Sequence, residues 1–318
     1  MHQILTQYMT TNQIAMLAIL FGFLLTFFCL CFPFPFLPKD HGREFAINGA
    51  LSKGKIRGIG LIMTAAFIIT TILFLPFSTE YIIYCIILFA MMLSGYLDDA
   101  AKNPWSDYKK GAIDLVLALL TMWNFVNYNQ TTIRFGSFAW EIPVAVYFIL
   151  GVILLWVSVN VTNCSDGVDG LCASICCVSF AAFGSLFSSI LQEYAVSCLV
   201  LVAVLLAYLC FNANPSSMLM GDAGSRALGF YLAVIAMKTG HPFIYLPLAA
   251  VLIVDGGIGL VKIFLLRFLK IAILKNTRTP LHDHVRKEKG WSDTQVVFRF
   301  TIIQIVFVMV AYLFMAGF

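Results

Sequence analysis

Charged residues are scarce in this chain of 318 residues, at 11% of the sequence, whereas 61% is hydrophobic. A soluble globular domain is about 25% charged and about 45–50% apolar, so this composition excludes an ordinary water-soluble fold. The alternation of apolar and polar residues that a transmembrane barrel needs is also missing. Long unbroken apolar runs take its place, and they predict an all-α, polytopic integral membrane protein with a single helical-bundle domain over residues 1–318.

Signals for thiol chemistry, nucleic-acid binding and secretion are lacking as well. The nine cysteines lie mostly in or beside apolar runs, where cysteine acts as a small hydrophobic residue. None has the spacing to other cysteines and histidines that a zinc site requires. The basic residues are spread over loops and form no nucleic-acid recognition module. No cleavable signal peptide is evident, because the first apolar run is long enough to remain as an anchor.

The apolar runs predict ten transmembrane spans, since a span needs about 20 apolar residues. They cover residues 14–37, 57–77, 79–97, 111–127, 142–160, 167–189, 192–211, 223–238, 243–274 and 293–316. All but two of the 20 Lys and Arg, namely Arg134 and Lys238, fall in the odd-numbered links or at adjoining helix ends. By the positive-inside rule these links are cytoplasmic, and both termini are predicted outside.

Two segments predict departures from straight spans. Residues 128–140 combine polar residues with a Phe-Gly-Ser-Phe turn, which predicts a small extracytoplasmic β-hairpin between the fourth and fifth spans. The ninth span runs through Asp255, Gly256, Gly257 and Gly259 before several basic residues. We expect a kink at these glycines and a basic extension along the lipid headgroups.

Six of the 16 Asp and Glu residues lie in four polar segments that border the apolar runs: residues 95–99, 160–170, 220–225 and 281–284. An ionisable side chain at membrane depth is costly unless it faces protein or water, and is therefore a functional candidate. All four segments fall on the predicted cytoplasmic face, near lysines. Carboxylates gathered in this way indicate a divalent cation and a phosphate-bearing substrate.

Asp98 and Asp99 are adjacent, and Lys102, Lys109 and Lys110 follow them. Neighbouring carboxylates repel each other and are kept ionised by a cation or by lysines. Ordinary ion pairing at a solvated helix end explains the same pattern. This segment alone therefore does not decide between the two interpretations.

Asn160, Asn163, Asp166 and Asp169 recur every three residues, which predicts one polar stripe in a helix or a tight turn. Amides and carboxylates in this arrangement suit a nucleobase edge or a metal ion. A structural role does not explain why they follow a hydrophobic run, so we expect a functional one.

Asp222 and the histidines of residues 282–284 are the remaining candidates. An Asp at the start of a helix is ordinarily a cap, and the glycines flanking Asp222 make a cation site the alternative. His282 and His284 form a His-x-His pair, which without a third ligand is weak evidence for a transition metal. Together with the neighbouring Arg286 and Lys287, they suit a phosphate or pyrophosphate.

Four of these segments in order, residues 95–99, 160–171, 220–229 and 280–300, resemble the polyprenyl-phosphate N-acetylhexosamine-1-phosphate transferases. Within that superfamily, the histidines and residues 289–292 most resemble the phospho-N-acetylmuramoyl-pentapeptide transferases. The resemblance implies ten transmembrane helices in a bacterial plasma membrane, a cytoplasmic active site, Mg²⁺ and a homodimer. It implies transfer of phospho-MurNAc-pentapeptide from UDP-MurNAc-pentapeptide to undecaprenyl phosphate, giving lipid I and UMP for peptidoglycan synthesis.

The resemblance also implies roles for individual positions. Catalytic roles carry over to Asp98, Asp99, Asp222, His282 and His284. Magnesium ligation carries over to Asp222 and Asn163. Substrate binding carries over to Lys53 or Lys55, Lys110, Asn163, Asp166, Asp169 and Leu219, with Asp166 as the candidate for the uracil edge.

Three features depart from the family pattern. Asp283 stands where the family has the middle histidine of three, and Leu219 stands where it places an aromatic residue that stacks on uracil. Residues 55–60 partly resemble the N-acetylglucosamine-type relatives. The alternative activity is therefore that of a polyprenyl-phosphate GlcNAc-1-phosphate transferase.

The implied chemistry joins two anions. Mg²⁺ on the diphosphate neutralises charge and makes UMP a better leaving group. Asp98 acts either as a base on the lipid phosphate or as a nucleophile that forms a covalent intermediate, and the sequence leaves both open. A secondary transporter is the alternative from another class. It predicts midplane polar residues and internal symmetry, whereas these acids cluster at one face and no repeat is evident.

Overall fold

The computed structural model describes residues 1–32, 35–40, 42, 52–76, 78–136 and 138–316. Helix dominates these ranges, because in lipid a helix satisfies the backbone N–H and C=O groups internally. Its α-helices, numbered in chain order, are α1 His2–Leu5, α2 Thr11–Cys31, α3 Gly60–Phe74, α4 Thr79–Asp99, α5 Asp107–Tyr128, α6 Val144–Cys164, α7 Leu171–Leu186, α8 Ser188–Leu191, α9 Glu193–Asn212, α10 Gly221–Lys238, α11 Tyr245–Leu248, α12 Ala250–Phe264, α13 Leu281–Lys289 and α14 Asp293–Ala316.

Each of the ten predicted spans contains a helix. Within the described ranges, six helices are long and apolar enough to cross a membrane, namely α2, α4, α5, α6, α9 and α14. A seventh span results if the bent pair Pro242–Leu248 and Ala250–Leu269 crosses as one, and α3 and α7 are shorter apolar helices. The prediction of an all-α, multi-pass membrane protein is therefore confirmed.

Helix α10 lies at the centre of the bundle. Residues 221–237 are all buried, and α10 packs against α3, α4 and α6. At the crossing with α4, a Cβ added to Gly95 would lie 2.3 Å from the carbonyl oxygen of Asp222, so only glycine allows the two backbones to approach so closely. This crossing brings the acidic C-terminal end of α4 to the N-terminal end of α10.

The prediction of a kink at the glycines of the ninth span is wrong. The chain bends by 90° at the break between Leu248 and Ala250, and α12 continues as a helix through Gly256 and Gly257. A Cβ at Gly256 would lie 2.4 Å from the carbonyl oxygen of Val161, so the glycine serves close packing of α12 on α6. Beyond α12, a π-helical segment, Leu265–Leu269, is exposed.

The predicted hairpin is confirmed as an antiparallel pair, β1 Thr132–Phe135 and β2 Phe138–Glu141. Thr132 pairs with Glu141 at the open end of the hairpin. The backbone N–H of Arg134 donates to the carbonyl oxygen of Gly240 at 2.8 Å, which ties the hairpin to the turn after α10.

Candidate functional site

Arg57 joins three carboxylates that are far apart in the sequence. It lies just before α3, and its Nε donates to Asp99 Oδ1 at 2.7 Å. Its Nη1 donates to Asp40 Oδ1 at 3.0 Å, and its Nη2 donates to Asp222 Oδ1 at 3.2 Å. A guanidinium presents several N–H groups in a rigid fork, so a single arginine can hold the ends of α3, α4 and α10 together through these acids.

Asp40 is held in place by a second donor. Ser52 Oγ donates to Asp40 Oδ2 at 2.5 Å. Burial raises the pKa of Asp40, but the hydrogen bonds from Ser52 and Arg57 outweigh it, so the pKa ends below its usual value. The carboxylate therefore stays ionised and fixes the segment before α3 beside Arg57.

Lys110 is the second cation of this cluster. Its Nζ contacts Asp98 Oδ2 and lies 3.1 Å from Asp222 Oδ2. Asp98 Oδ1 accepts a hydrogen bond from the backbone N–H of Trp105 at 2.7 Å. Asp98 is only 7% exposed, so simple ion pairing at a solvated helix end does not describe it.

Asp99, rather than Asp222, caps α10. Asp99 Oδ2 accepts from the backbone N–H of Ala223 at 3.2 Å, in the first turn of α10. Both oxygens of Asp222 instead meet cations, Arg57 and Lys110. A carboxylate at a helix N-terminus satisfies an orphan N–H and complements the helix dipole, so α4 stabilises α10 and Asp222 is not needed as its cap.

Gly221 makes room for this arrangement. Its φ is +68°, a left-handed conformation that favours glycine, and an added Cβ would lie 2.3 Å from Asp99 Oδ2. A side chain at this position would displace the carboxylate that caps α10. Glycine before Asp222 is therefore required both by the backbone conformation and by the room that the Asp99 carboxylate needs.

The predicted polar stripe of residues 160–169 is divided by the end of α6. Asn160 donates to Trp156 O within its own helix at 2.8 Å, and Asn163 Nδ2 donates to Ser225 Oγ at 2.9 Å. Asp166 and Asp169 follow in the turn after α6. The four groups therefore face different surroundings, because the helix ends between the second and the third.

The two candidate loop lysines have different environments. Lys55 Nζ donates to Asp169 Oδ2 at 3.2 Å and to Ser216 Oγ at 2.8 Å. Asp169 also accepts from the backbone N–H of Ser216 at 3.0 Å. Lys53 is exposed, and it lines neither of the cavities described below.

The histidine segment, which lies between the ninth and tenth predicted spans, forms the short helix α13. His282 is 2% exposed and meets Asp255 of α12 through its backbone N–H and its Nδ1. Asp283 Oδ1 accepts from Arg286 Nη1 at 3.3 Å. His284 points elsewhere: its Nδ1 lies 3.4 Å from the backbone N of Arg278. A His-x-His pair on a helix cannot share one face, which explains the separation.

A cavity of about 400 Å³ opens between the turn after α6, the start of α10 and α13. Several predicted substrate residues line it, namely Lys55, Asp166, Asp169 and Leu219, together with His282 and Asp283. A second cavity of about 350 Å³ is lined by the other predicted group, Asp98, Asp99, Lys110, Asn163 and Asp222. Asp40 and Arg57 line both cavities, so the two spaces adjoin at this ion pair.

The second cavity suits magnesium by its donor set. Among the described residues, no three acid, histidine or cysteine side chains converge as a ready-made metal cage. Mg²⁺ does not need one, because it binds one or two carboxylates and completes its shell with water and substrate phosphates. Asp222 offers carboxylate oxygens, and the hydrogen bond of Asn163 to Ser225 uses the amide nitrogen and not the oxygen. These residues therefore fit the ion.

Several residues of the site carry little signal in the sequence. Arg57 and Asp40 were not singled out as site residues, because a loop arginine and a loop aspartate carry no local signal. Asp255 was noted only as a buried acid at an expected kink, although an acid within an apolar run was the available signal. Arg226 and Asp114 form a further buried ion pair, between α10 and α5, beside the cluster.

Comparison with known proteins agrees with this geometry. Residues 81–240 match the profile of Glycosyl transferase family 4. A phospho-N-acetylmuramoyl-pentapeptide-transferase of Treponema pallidum (strain Nichols) is 36% identical over 95% of this chain and 88% of its own length. Proteins of the same name from Bacillus subtilis (strain 168) and Clostridium acetobutylicum are 28% and 27% identical. Those matches cover 91% and 87% of this chain, and 94% and 87% of the respective relatives.

The likeness therefore extends along nearly the whole chain, from the first spans to α14, and includes every segment that contributes to the two cavities. The chain belongs to the phospho-N-acetylmuramoyl-pentapeptide-transferase family, within Glycosyl transferase family 4.

Proposed function

We propose that this protein transfers phospho-MurNAc-pentapeptide from UDP-MurNAc-pentapeptide to undecaprenyl phosphate at the cytoplasmic face of a bacterial plasma membrane. The observation that carries the proposal is the shared wall between the cavities, where Arg57 contacts Asp40, Asp99 and Asp222. Two anionic substrates, one in each cavity, would therefore lie beside the same cation, Arg57. Positioning and charge neutralisation account for most of the catalysis of phosphoryl transfer.

The first cavity takes the nucleotide donor in this proposal. Asp166 provides a carboxylate for the uracil edge, and Lys55 is held by Asp169 at the same wall. Leu219 offers an apolar surface of smaller stacking area than an aromatic ring. Arg286 provides donors for the diphosphate, and His282 lines the same cavity.

The second cavity takes the phosphate of the lipid acceptor. Lys39 and Lys102 are exposed lining residues, and Lys110 lies deeper, against Asp98 and Asp222. Exposed lysines attract an anion from the membrane surface, and a partly buried lysine binds it more strongly because the effective dielectric constant is lower. The acceptor thus reaches the wall formed by Arg57.

Asp222 and Asn163 would hold Mg²⁺ in this site, with Asp222 supplying carboxylate oxygen and Asn163 amide oxygen. When bound, Mg²⁺ neutralises charge on the diphosphate and improves UMP as a leaving group. Asp99 holds the first turn of α10, which carries Asp222. That role makes Asp99 a positioning residue.

The transfer is a single displacement in this proposal. An oxygen of the acceptor phosphate forms a bond to the sugar-bound phosphorus, and the bond from that phosphorus to the bridging oxygen breaks. UMP leaves with the bridging oxygen. Both oxygens of Asp98 are already held, by Trp105 N and Lys110 Nζ, which favours a role for Asp98 in positioning Lys110 over a covalent one.

Release of UMP from radiolabelled UDP-MurNAc-pentapeptide tests the proposal, with purified protein, undecaprenyl phosphate and Mg²⁺. We expect release that depends on the acceptor and stops with a chelator. UDP-GlcNAc serves as the control donor. Faster turnover of UDP-GlcNAc than of UDP-MurNAc-pentapeptide would assign the chain to the GlcNAc-1-phosphate branch instead. Formation of a homodimer stays a prediction from the resemblance.

A further inference from the structure

Asp255 is a fully buried acid of α12 whose carboxylate faces α13. Its Oδ1 accepts a hydrogen bond from the backbone N–H of His282 at 2.8 Å. Its Oδ2 lies 2.8 Å from His282 Nδ1. A buried carboxylate persists only when it is paired and hydrogen-bonded, and here a single residue supplies both partners.

The other nitrogen of the ring is directed to the first cavity. A Cβ added to Gly167 would lie 2.3 Å from His282 Nε2, so glycine at this position is what leaves room for the ring. The charged groups beside the ring are Asp283, whose Oδ1 lies 3.9 Å from Nε2, and Arg286, which pairs with Asp283. His282, Gly167 and Asp283 all line the cavity.

We infer that Asp255 is a positioning residue: it keeps a proton on His282 Nδ1 and holds Nε2 toward the donor. The inference rests on the proposed use of the first cavity by the nucleotide donor. The hydrogen bonds between the imidazole ring and its neighbours determine which ring nitrogen carries the proton. An ionised carboxylate only accepts hydrogen bonds, so the nitrogen that faces Oδ2 must donate.

The variant Asp255→Asn reverses this requirement. The backbone N–H of His282 is a fixed donor, so the amide oxygen of Asn is best placed against it. The amide NH₂ then faces Nδ1, which must become an acceptor, and the proton of the ring moves to Nε2. The substitution replaces one carboxylate oxygen by an NH₂ group of similar size, so the packing of α12 on α13 should stay the same.

The test combines nitrogen NMR with turnover in the full-length protein. Histidine labelled with ¹⁵N gives few signals, since the chain has five histidines, and His282→Gln identifies the relevant one by its loss. We expect a protonated Nδ1 in the unchanged protein and an unprotonated Nδ1 in Asp255→Asn. Turnover should fall by about tenfold or more, the usual effect of losing the carboxylate that orients a functional histidine.

A double variant separates positioning from a general structural role. If Asp255 acts through His282, then Asp255→Asn combined with His282→Gln should lose no more turnover than His282→Gln alone. Asp255→Glu keeps a carboxylate and should retain the proton on Nδ1 and part of the activity. Melting temperatures measured on the same detergent samples identify a variant that fails to fold.

The inference is overturned by an unprotonated Nδ1 in the unchanged protein, by a proton that stays on Nδ1 in Asp255→Asn, or by losses that add in the double variant. Unchanged turnover after the proton has moved overturns it too. Failure of the proposed function is distinct, because an unchanged protein that releases no UMP from UDP-MurNAc-pentapeptide contradicts that proposal while the NMR measurement still reports on Asp255 and His282.

Discussion

Helices α4 and α10 carry a buried ionic cluster at each of their two adjacent ends, and the two clusters differ in how their charges are paired. At the end that begins α4, Glu80 Oε2 lies 2.9 Å from Lys238 Nζ. Asn129 donates to Glu80 at 2.5 Å and accepts from Lys238 at 2.7 Å, and Tyr84 donates to Glu80 at 3.1 Å. None of these residues lines either cavity.

At the other end, acids lie side by side and share their cations. Arg57 pairs with three carboxylates and Lys110 pairs with two. Both cavities are lined by residues of this cluster. One acid with one base and neutral hydrogen-bond partners forms a satisfied structural network. Here several acids share two cations beside open space, where a metal ion and a phosphate can reach the charged groups. The comparison thus distinguishes a stabilising cluster from a functional one on the same two helices.

The largest effect on turnover is expected from Asp222→Asn, which removes a charge at nearly constant volume. Turnover should fall by at least about a hundredfold, because metal activation contributes several kcal/mol. The fold should survive, since Asp99 and not Asp222 caps α10. The measurement is UMP release beside the melting temperature, with Glu80→Gln as the matched acid-to-amide change at the opposite end. Near-normal activity of Asp222→Asn would remove the metal assignment.

Next in size is the loss from His282→Ala, about a hundredfold if the contact of His282 Nε2 with the bound donor is removed. Asp283→His should change turnover by only a few-fold, because Asp283 contacts Arg286 rather than the ring directly. Both variants need matched detergent-solubilised samples with melting temperatures. If Asp283→His abolishes turnover while His282→Ala stays active, the roles assigned in α13 are wrong.

A smaller effect, confined to the donor, is expected from Lys55→Met. The Michaelis constant for UDP-MurNAc-pentapeptide should rise about tenfold, since a charge-assisted contact is typically worth about 1.5–3 kcal/mol. Lys53→Met is the matched control, because Lys53 is exposed and outside both cavities. Equal effects of the two substitutions would contradict the distinction that the structure makes between these lysines.

The smallest effect on turnover is expected at the opposite cluster. Lys238→Met leaves Glu80 buried without its cation and should lower stability by about 3–5 kcal/mol, seen as a lower melting temperature. The folded fraction should retain its turnover per molecule. Removing both charges, with Glu80→Leu and Lys238→Met together, should restore much of the stability. A specific loss of catalysis in the folded fraction would show that this end is functional after all.

The candidate site was predictable only in part. Asp98, Asp99, Lys110 and Asp222 were singled out from the sequence, and the structure gathers them in one cavity. The sequence pairs His284 with His282, yet the two point in different directions, because they lie on different faces of helix α13. Spacing alone does not specify which side of a short helix each residue occupies.

The sequence by itself determined the class of protein, the helical segments, the hairpin and the segments that carry the chemistry. Those features follow from composition and from patterns over neighbouring residues. A helix in lipid satisfies its backbone hydrogen bonds within its own segment, so the local sequence is enough to predict it. Only the tertiary structure decided that Arg57 joins Asp40, Asp99 and Asp222, that Lys55 rather than Lys53 faces the cavity, and that Asp255 holds His282. These contacts join residues from distant parts of the chain, and those between the end of α4 and the start of α10 depend on Gly95, which lets the two helices cross at backbone distance.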